Sequence, residues 1–410
     1  MHIQSPTNTS YSPLLQSGWG RAFFFCCCIL LFQSCRQDIV IWPSEEEWVG
    51  EVLPNDSIRG FYLLNEGGYS NNNSSLDYYD YTTAKYTHNI YSALNPSSVM
   101  GLGDVGNSLK IYGSRLWAVL NGSNKIEVMQ AQTARRIGQV DIANPRHICF
   151  HEGYAYISSF AGPVLDDYTQ LGMVVKVDTL TLEKVDTCLV GFQPEGLDVV
   201  GDKIYVANSG GYMYPNYDNT LSVISIATFQ EERRITVAPN LQRVLADRQG
   251  NLWVSSLGNY YDQPSALFRV SNLDATPSVT GILTPQGNTL AVGNMTLCGD
   301  SLYVVSNDFS YTMGQTSRNF AIVNTLTATV LSTNFITDGT ETSIQVPYGI
   351  AVHPTTGDIL IGDARDYYNP GTLFCFSPQG ILRWKVHTGV NPAHIVFFGG
   401  GALNHSAFNK

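Results

Sequence analysis

A five-residue motif of the form Asn-Pro-x-His-Ile occurs twice, at residues 144–148 and again at residues 391–395, close to the end of the chain. The second copy begins a repeat that the few remaining residues cannot finish. Near the other end, residues 61–65 (Phe-Tyr-Leu-Leu-Asn) have the pattern of the second strand of the same repeat, with no first strand before them. Each end therefore supplies what the other lacks, and we expect the chain to close into a ring.

The repeat consists of a turn containing Gly, Asp or Ser followed by an aromatic and apolar strand. Its anchors recur at intervals of 39, 49, 48 and 50 residues in the middle of the chain and number seven in all: Tyr62, Trp117, Tyr156, Tyr205, Trp253, Tyr303 and Leu360. Units of this length with several short strands are typical of β-propeller blades, whereas helical repeats would show a 3.6-residue apolar period. We therefore predict an all-β, seven-bladed β-propeller whose C-terminal strand completes the first blade and so removes the open sheet edges.

The fourth repeat unit shows the expected blade most clearly, with strands predicted at residues 196–200, 203–208, 219–226 and 232–237. Because no single unit has a core of its own, we assign residues 57–399 to one propeller domain. The flanking segments are interpreted as a signal peptide (residues 1–34), a lipidated cysteine with a tether (residues 35–56) and a C-terminal tail (residues 400–410).

The N-terminal segment resembles a secretion signal. An uncharged apolar run at residues 22–32 follows Arg21 and is short for a membrane span. It ends at Ser34-Cys35, which resembles the bacterial lipobox and predicts lipidation of Cys35. An uncleaved anchor and a plain signal peptide are the alternatives. The long polar segment before Arg21 suggests a translation start downstream of Met1.

The composition narrows the classes of partner. With 14% charged and 44% hydrophobic residues the chain is that of a globular protein, and its formal net charge is -11 with no Lys/Arg cluster. We therefore expect no nucleic-acid partner, and membrane attachment through the lipid alone. The propeller's four cysteines fall in different blades without a C-x-x-C pair, so we expect buried apolar side chains and no metal site. The repeated His147 and His394 are interpreted as structural or loop contacts rather than as a catalytic pair.

The loops that follow the second strands should emerge on one face, together with the loops that enter the inner strands. Six of the first set are long and rich in tyrosine, a side chain that offers an apolar face and a hydroxyl at little entropic cost. We call this surface the tyrosine rim and predict that it binds a ligand; for any single tyrosine, local packing is the alternative. The rim candidates are Tyr69, Tyr212, Tyr214, Tyr217, Tyr260, Tyr261, Tyr311, Tyr367 and Tyr368. Candidates nearer the channel mouth are Asp104, Asn107, Arg146, Tyr348 and His394.

Catalytic motifs are absent from the sequence. It contains no Gly-x-Ser-x-Gly and no His-Glu-x-x-His, and the Gly-x-Gly-x-x-Gly at residues 101–106 precedes a predicted strand rather than a helix. We therefore expect no enzyme, no catalytic residue and no catalytic cofactor. A propeller lyase or lactonase, which would need a metal or a His/Glu cluster at the channel, is the enzymatic alternative. Asp166-Asp167 and Asp218-Asn219 could hold a structural Ca²⁺, with solvated loop carboxylates as the alternative.

Several strings resemble known propellers. Residues 205–210 (Tyr-Val-Ala-Asn-Ser-Gly) followed by residues 219–224 resemble the repeat of the YncE-like, YVTN-type group. A closer similarity is to the surface-exposed cobalamin-binding propeller lipoproteins of gut Bacteroides, the BtuG type. It covers essentially the whole propeller and is carried by residues 65–67 with 76–80, 102–107, 207–212 with 215–220, and 346–352.

This resemblance implies a lipoprotein on the outer leaflet of the outer membrane. Such a protein captures vitamin B12 or a related corrinoid and delivers it to a TonB-dependent transporter of the BtuB type. A corrinoid is wide, with an apolar macrocycle edged by amides, and suits a ring of Tyr and Asn. The alternative is a surface propeller that binds a glycan or a protein for another uptake system.

Overall fold

The computed structural model describes residues 45–53, 57–98, 100–164, 170–310 and 314–399. Within these residues the strands form seven antiparallel sheets, the blades of a seven-bladed propeller. The first blade contains β1 (Glu46–Trp48), β2 (Ile58–Asn65), β3 (Ser75–Asp80), β4 (Lys85–Thr87) and β29 (Pro392–Gly399). The second contains β5 (Gly106–Tyr112), β6 (Arg115–Leu120), β7 (Lys125–Gln130) and β8 (Arg136–Asp141). The third contains β9 (Pro145–His151), β10 (Tyr154–Ser159), β11 (Met173–Asp178) and β12 (Lys184–Leu189).

The remaining four blades have the same order of strands from the channel outward. The fourth contains β13 (Pro194–Val200), β14 (Lys203–Asn208), β15 (Thr220–Ser225) and β16 (Gln230–Thr236). The fifth contains β17 (Leu241–Ala246), β18 (Leu252–Ser256), β19 (Ala266–Ser271) and β20 (Ser278–Gly281). The sixth contains β21 (Asn294–Cys298), β22 (Ser301–Ser310), β23 (Gln315–Asn324) and β24 (Thr329–Ser332). The seventh contains β25 (Pro347–Val352), β26 (Ile359–Asp363), β27 (Pro370–Phe376) and β28 (Leu382–Val390). The helical elements described are α1 (Ile90–Leu94) and a 3₁₀ turn (Thr340–Ser343).

The ring closes in the first blade, where the last strand β29 pairs antiparallel with β2. Phe61 lies opposite Phe397 and Leu63 opposite Ile395, so the two ends of the propeller share one ladder. The predicted all-β, seven-bladed propeller and its closure by the C-terminal strand are confirmed. Closure leaves the inner edge of β2 paired rather than open to other chains.

Strand β1 adds a fifth strand to the first blade. It pairs with β4 on the outer edge, Glu46 opposite Thr87 and Trp48 opposite Lys85. The Tyr79 hydroxyl donates a hydrogen bond to the Val49 carbonyl (2.8 Å), and a Cβ at Gly50 would clash with Trp384. This differs from the interpretation of residues 35–56 as a tether: residues 46–48 are ordered by backbone pairing, which their charged sequence does not reveal.

Apolar cores lie between neighbouring blades. The anchors Trp117 and Trp253 are fully buried, and Trp117 packs in one cluster with Val128 of its own blade and with Ile148 and Ile157 of the next. Each sheet therefore buries its faces against two others, which explains why the repeat cannot fold as separate units.

Two glycines allow the inner strands to approach closely. A Cβ at Gly196 of β13 would lie 2.6 Å from the Gln242 carbonyl oxygen of β17, and one at Gly349 of β25 would lie equally close to the Pro392 carbonyl oxygen of β29. No side chain other than hydrogen fits at either position. The seven inner strands thus surround a narrow central channel.

Candidate functional site

The strand registers fix which loops share a face. Each inner strand begins beside the end of the second strand of its blade: Pro145 pairs with Ser159, and Pro194 with Asn208. The same arrangement holds in the first blade, where Pro392 pairs with Asn65. The loops after the second strands and the loops entering the inner strands therefore lie together at one end of the channel, as the sequence analysis expected.

Most of the candidate rim tyrosines are exposed at this face. Tyr368 exposes 85% and Tyr69 78% of its surface. The exposed set is Tyr69, Tyr212, Tyr214, Tyr260, Tyr261, Tyr367 and Tyr368. Tyr217 is half-buried, and Tyr311 lies outside the described residues.

Part of the tyrosine rim forms a continuous aromatic surface. The Tyr217 ring lies between those of Tyr214 and Tyr260, with both pairs of ring centroids 6.2 Å apart and the rings edge to face. Tyr212 packs on Phe160 at 6.4 Å, and Tyr367 packs on Tyr348 at 5.9 Å. The structure thus brings together tyrosines from the fourth and fifth blades, whereas Tyr69 is on the loop after β2, in the first blade.

Two rim tyrosines have strained backbones. Tyr260 has φ 62° and Tyr367 has φ 69°, in the left-handed region that bulky residues rarely adopt. Such a conformation costs about 1–3 kcal/mol and persists where surrounding contacts impose it, often at binding sites. The backbone conformation of each loop therefore fixes the position of its tyrosine ring.

Polar residues before the inner strands fasten the rim loops. Asn144, Gln193 and Asn391 all have positive φ, which directs their amides to the neighbouring loop. The Gln193 side-chain oxygen accepts a hydrogen bond from the Tyr212 backbone N–H (2.8 Å), and the Asn391 amide donates to the Gly67 carbonyl (2.9 Å). The loops are therefore fixed without a ligand.

The predicted polar contacts Asp104 and Asn107 differ in their exposure. The Asp104 carboxylate accepts backbone N–H groups of Ser70 (2.8 Å) and Asn72 (3.2 Å), which holds the loop that carries Tyr69. Asn107 is buried at the start of β5. Asp104 therefore supports a rim loop from a partly exposed position, whereas Asn107 lies beneath the surface.

Arg146 forms the most complete ion pair of the channel mouth. Its Nε and Nη2 donate to the two Glu195 oxygens at 3.0 Å each, and its guanidinium lies 4.7 Å from the Phe160 ring centroid. Burial alone would lower the pKa of Arg146, but the Glu195 carboxylate more than offsets this and raises it. Arg146 is thus held charged and fixed in place at the mouth.

The predicted Tyr348 and His394 meet at Glu66, which joins the first and last blades. The Tyr348 hydroxyl donates to Glu66 Oε2 (2.5 Å), and His394 Nε2 lies 3.1 Å from Glu66 Oε1. Burial, followed by the Glu66 charge, raises the pKa of Tyr348, whereas burial lowers the pKa of His394 against the opposing effect of Glu66. Glu66 was not among the candidates, although its place directly after the second strand of the first blade marks it as a mouth residue.

A cavity of about 410 Å³ continues from the mouth into the channel. Its charged and polar lining comes from the inner strands and includes Lys110, His147, Asp198, Arg243, Asn294 and His394. Neither Arg243 nor Lys110 was among the candidates chosen from the sequence. A lone charge within a predicted inner strand is the signal that could have identified Lys110.

The structure gives no support to a metal site or a membrane span in the part of the chain that it describes. No cluster of three or more His, Cys, Asp or Glu side chains there could hold a metal ion. Asp166 and Asp167 lie outside the described residues, and the Asp218 carboxylate accepts backbone N–H groups of Phe192 (3.0 Å) and Thr220 (3.1 Å). No helix among the described residues has the length and apolarity to cross a bilayer. Cys35 also lies outside these residues.

Comparison with known proteins identifies a family and confirms the fold. The family model described as "Domain of unknown function (DUF5074)" matches residues 59–374. A quinonprotein alcohol dehydrogenase-like protein from Bacteroides thetaiotaomicron is similar in structure, with 12% identity, a TM-score of 0.56, and coverage of 83% of this chain and 78% of that one. A hydrazine synthase chain from Kuenenia stuttgartiensis has 14% identity, a TM-score of 0.52, and coverage of 72% and 96%. A search of curated protein sequences found no match.

Proposed function

The chain belongs to the family defined by the domain of unknown function DUF5074, and we propose its function from the geometry of the mouth. The proposed function is that of a binding protein that captures a corrinoid of the cobalamin type. Capture makes and breaks no bond. The observation that carries the proposal is the set of exposed tyrosines gathered on one face from loops far apart in the sequence.

Size and chemistry favour a wide amphipathic ligand. The aromatic surface around Tyr217 extends over two blades, and amides and carboxylates lie among its rings. A corrinoid presents an apolar macrocycle edged by amides, so that flat rings and hydrogen-bonding groups can contact it together. Exposed aromatic area of this extent on a folded domain is typical of an interaction site.

Preorganisation supports high affinity. The hydrogen bonds from Gln193, Asn391 and Asp104 fix the rim loops before a ligand arrives. The entropic cost of ordering loops, which otherwise reduces affinity, is then small. The strained Tyr260 and Tyr367 are consistent with selection for placement of their rings.

The cellular part of the proposal comes from the N-terminal sequence. We propose that Cys35 is lipidated and anchors the protein at the outer membrane with the propeller exposed at the cell surface. A captured corrinoid would then pass to a TonB-dependent transporter of the BtuB type. Mass spectrometry of the membrane-extracted protein tests the anchor, and a lipid adduct on Cys35 is expected. An unmodified Cys35, or a chain that retains the signal segment, contradicts it.

A desalting experiment tests corrinoid capture. The chain from residue 36, which lacks the lipidated cysteine, is mixed with cyanocobalamin and passed through a desalting column, and coloured protein fractions are expected. Tyr214→Ala and Tyr261→Ala should each weaken binding by about tenfold, the effect of losing one well-packed aromatic contact. Trp48→Ala is the matched control, since Trp48 is an exposed aromatic on the outer edge of the first blade, away from the mouth.

Colourless protein fractions would reject the corrinoid proposal. Binding of equal strength in both rim variants would reject the tyrosine rim as the site. The second candidate, a surface propeller that binds a glycan or a protein for another importer, is favoured by the same observation, because aromatic faces with interleaved amides also suit sugars and peptides. Glycan binding without affinity for cyanocobalamin would identify it.

A further inference from the structure

Two cationic side chains line the central channel. Lys110 of β5 and Arg243 of β17 both line the cavity below the mouth. Among the residues that the structure describes, neither forms an ion pair with a carboxylate, whereas Arg146 at the mouth does. The Arg243 side chain is only partly exposed, so its charge is partly desolvated and a counter-ion is expected beside it, whereas Lys110 is exposed to the solvent of the channel.

Arg243 contacts a histidine in place of an acid. Its Nη1 lies 3.0 Å from Nε2 and 3.2 Å from Nδ1 of His147, which is on β9 two blades away. The side chain therefore extends across the channel, past Gly196, which has no side chain to obstruct it. A neutral imidazole does not cancel the guanidinium charge.

The channel's carboxylates are engaged elsewhere. Glu195 binds Arg146 with both oxygens, and Glu66 accepts from Tyr348 and lies against His394. The Asp198 side chain accepts two backbone N–H groups, from Val199 (2.9 Å) and Ala246 (2.8 Å), and burial raises its pKa against the opposing effects of these hydrogen bonds and of Lys110.

The histidines report a positive electrostatic potential. Burial lowers the pKa of His147 well below 6.5, and the charges of Arg243, His394, Arg146 and Lys110 lower it further. Arg243 and Lys110 also lower the pKa of His394, against Glu66. Both cations line the same cavity as these two histidines, so all four side chains share one region of the channel.

We propose that the channel beneath the tyrosine rim is a binding site for a phosphate-type oxyanion, with Arg243 as its guanidinium donor and Lys110 as its ammonium donor. Guanidinium presents paired N–H groups that match the oxygens of phosphate, and lysine adds a point charge. The cavity of about 410 Å³ is large enough for this group. It also meets the mouth, so the oxyanion is either free phosphate or the phosphodiester of a ligand on the rim.

Titration calorimetry of the purified full propeller chain with inorganic phosphate, at constant ionic strength, tests the site. Saturable binding at one site per chain is expected. Lys110→Gln and Arg243→Gln should each weaken it by at least about tenfold, since each removes a charge-assisted contact. Lys385→Gln, a lysine replacement on the exposed face of the outer strand β28, is the matched control and should bind phosphate like the wild type. If Arg243→Gln does not fold, Lys110→Gln alone decides.

Absence of saturable phosphate binding overturns the proposal, as does equal binding by the wild type and both channel variants. Competition between cyanocobalamin and phosphate would identify a phosphodiester of the rim ligand as the source of the anion. Independent binding of the two would identify a free oxyanion. Both results depend on phosphate binding in the channel and therefore support the site. The inference does not rest on corrinoid capture. Phosphate binding without cyanocobalamin binding supports the anion site and rejects corrinoid capture. Cyanocobalamin binding without phosphate binding supports corrinoid capture and rejects the anion site.

Discussion

Single residues at the mouth combine burial with charge. Arg146 and Glu195 are mostly buried and form a bidentate pair, and the Phe160 ring covers the guanidinium. A pair of this kind adds little net stability compared with apolar residues, but removing one partner leaves the other charge buried and unpaired. Its geometry keeps the mouth polar and rigid.

Glu195→Gln should therefore destabilise the protein strongly. The change leaves Arg146 without its counter-charge, and we expect the free energy of unfolding to fall by about 3 kcal/mol. Urea denaturation followed by circular dichroism measures it. Glu232→Gln breaks the ion pair with Lys203 (2.7 Å), which is on the surface, and should change stability little. Equal effects of the two substitutions would contradict this reading of Arg146.

His147 predicts a dependence of stability on pH. Burial and then Arg243 lower its pKa well below 6.5 in the folded protein. Between that lowered pKa and 6.5 the unfolded chain binds more protons, so the free energy of unfolding falls as the pH drops below about 6.5. His147→Gln removes this titration, and its stability should fall less between about pH 7 and pH 5. The exposed His387→Gln is the control, and identical pH profiles for all three proteins would contradict the prediction.

At the scale of elements, strands differ in how many neighbours they pair with and contact. β29 lies between β2 and the channel and contacts neighbouring blades on both sides, whereas β1 pairs on one side alone. The pattern of apolar residues and turn signals predicted the four strands of the fourth blade to within about two residues, and the repeated motif at residues 391–395 predicted a closing C-terminal strand. It did not predict β1, because a three-residue edge strand of charged composition carries no such signal.

Deleting these two strands should have opposite outcomes. A chain that ends at Val390 lacks β29, leaves β2 unpaired and is expected to aggregate or fail to fold. A chain lacking residues 45–53 loses an outer edge strand and should fold with a lower midpoint of thermal unfolding. Size-exclusion chromatography and thermal melts compare them, with a chain ending at Gly399 as the control. A soluble monomer without β29 would contradict the role assigned to closure.

The ring as a whole has cores that each belong to two blades. Trp117 packs between the second and third blades, and Trp253 packs between the fifth and sixth. Because each blade depends on its neighbours, local loss of one should spread around the ring. Stability is therefore a property of the closed assembly.

Unfolding should be a single cooperative transition. Fluorescence reports buried tryptophans on opposite sides of the ring, and circular dichroism reports all strands, so their denaturation curves should coincide. Trp117→Phe and Trp253→Phe, compared with the wild type, assign the fluorescence to each side. Separate midpoints for the two sides would show that the blades unfold in independent groups.

At this scale the sequence determined more of the fold than of the site. The spacing of anchors such as Trp117 and Tyr205 was sufficient for the architecture, because periodic apolar residues record which positions are buried. The contact of Tyr348 and His394 with Glu66 was not predictable, since it joins residues about 280 and 330 positions apart in a geometry set by ring closure. Asp104 shows the same limit: its residue type suggested ligand contact, and its hydrogen bonds to the loop that carries Tyr69 could not be predicted from the sequence.

The pairing of β29 with β2 also sets the order of events during synthesis. A ribosome makes residues 58–65 early and residues 392–399 last, so the inner edge of β2 waits without its neighbour until nearly the entire polypeptide has been translated. Native assembly is then completed after translation, and the unfinished edge must be kept from pairing with other nascent chains in the meantime.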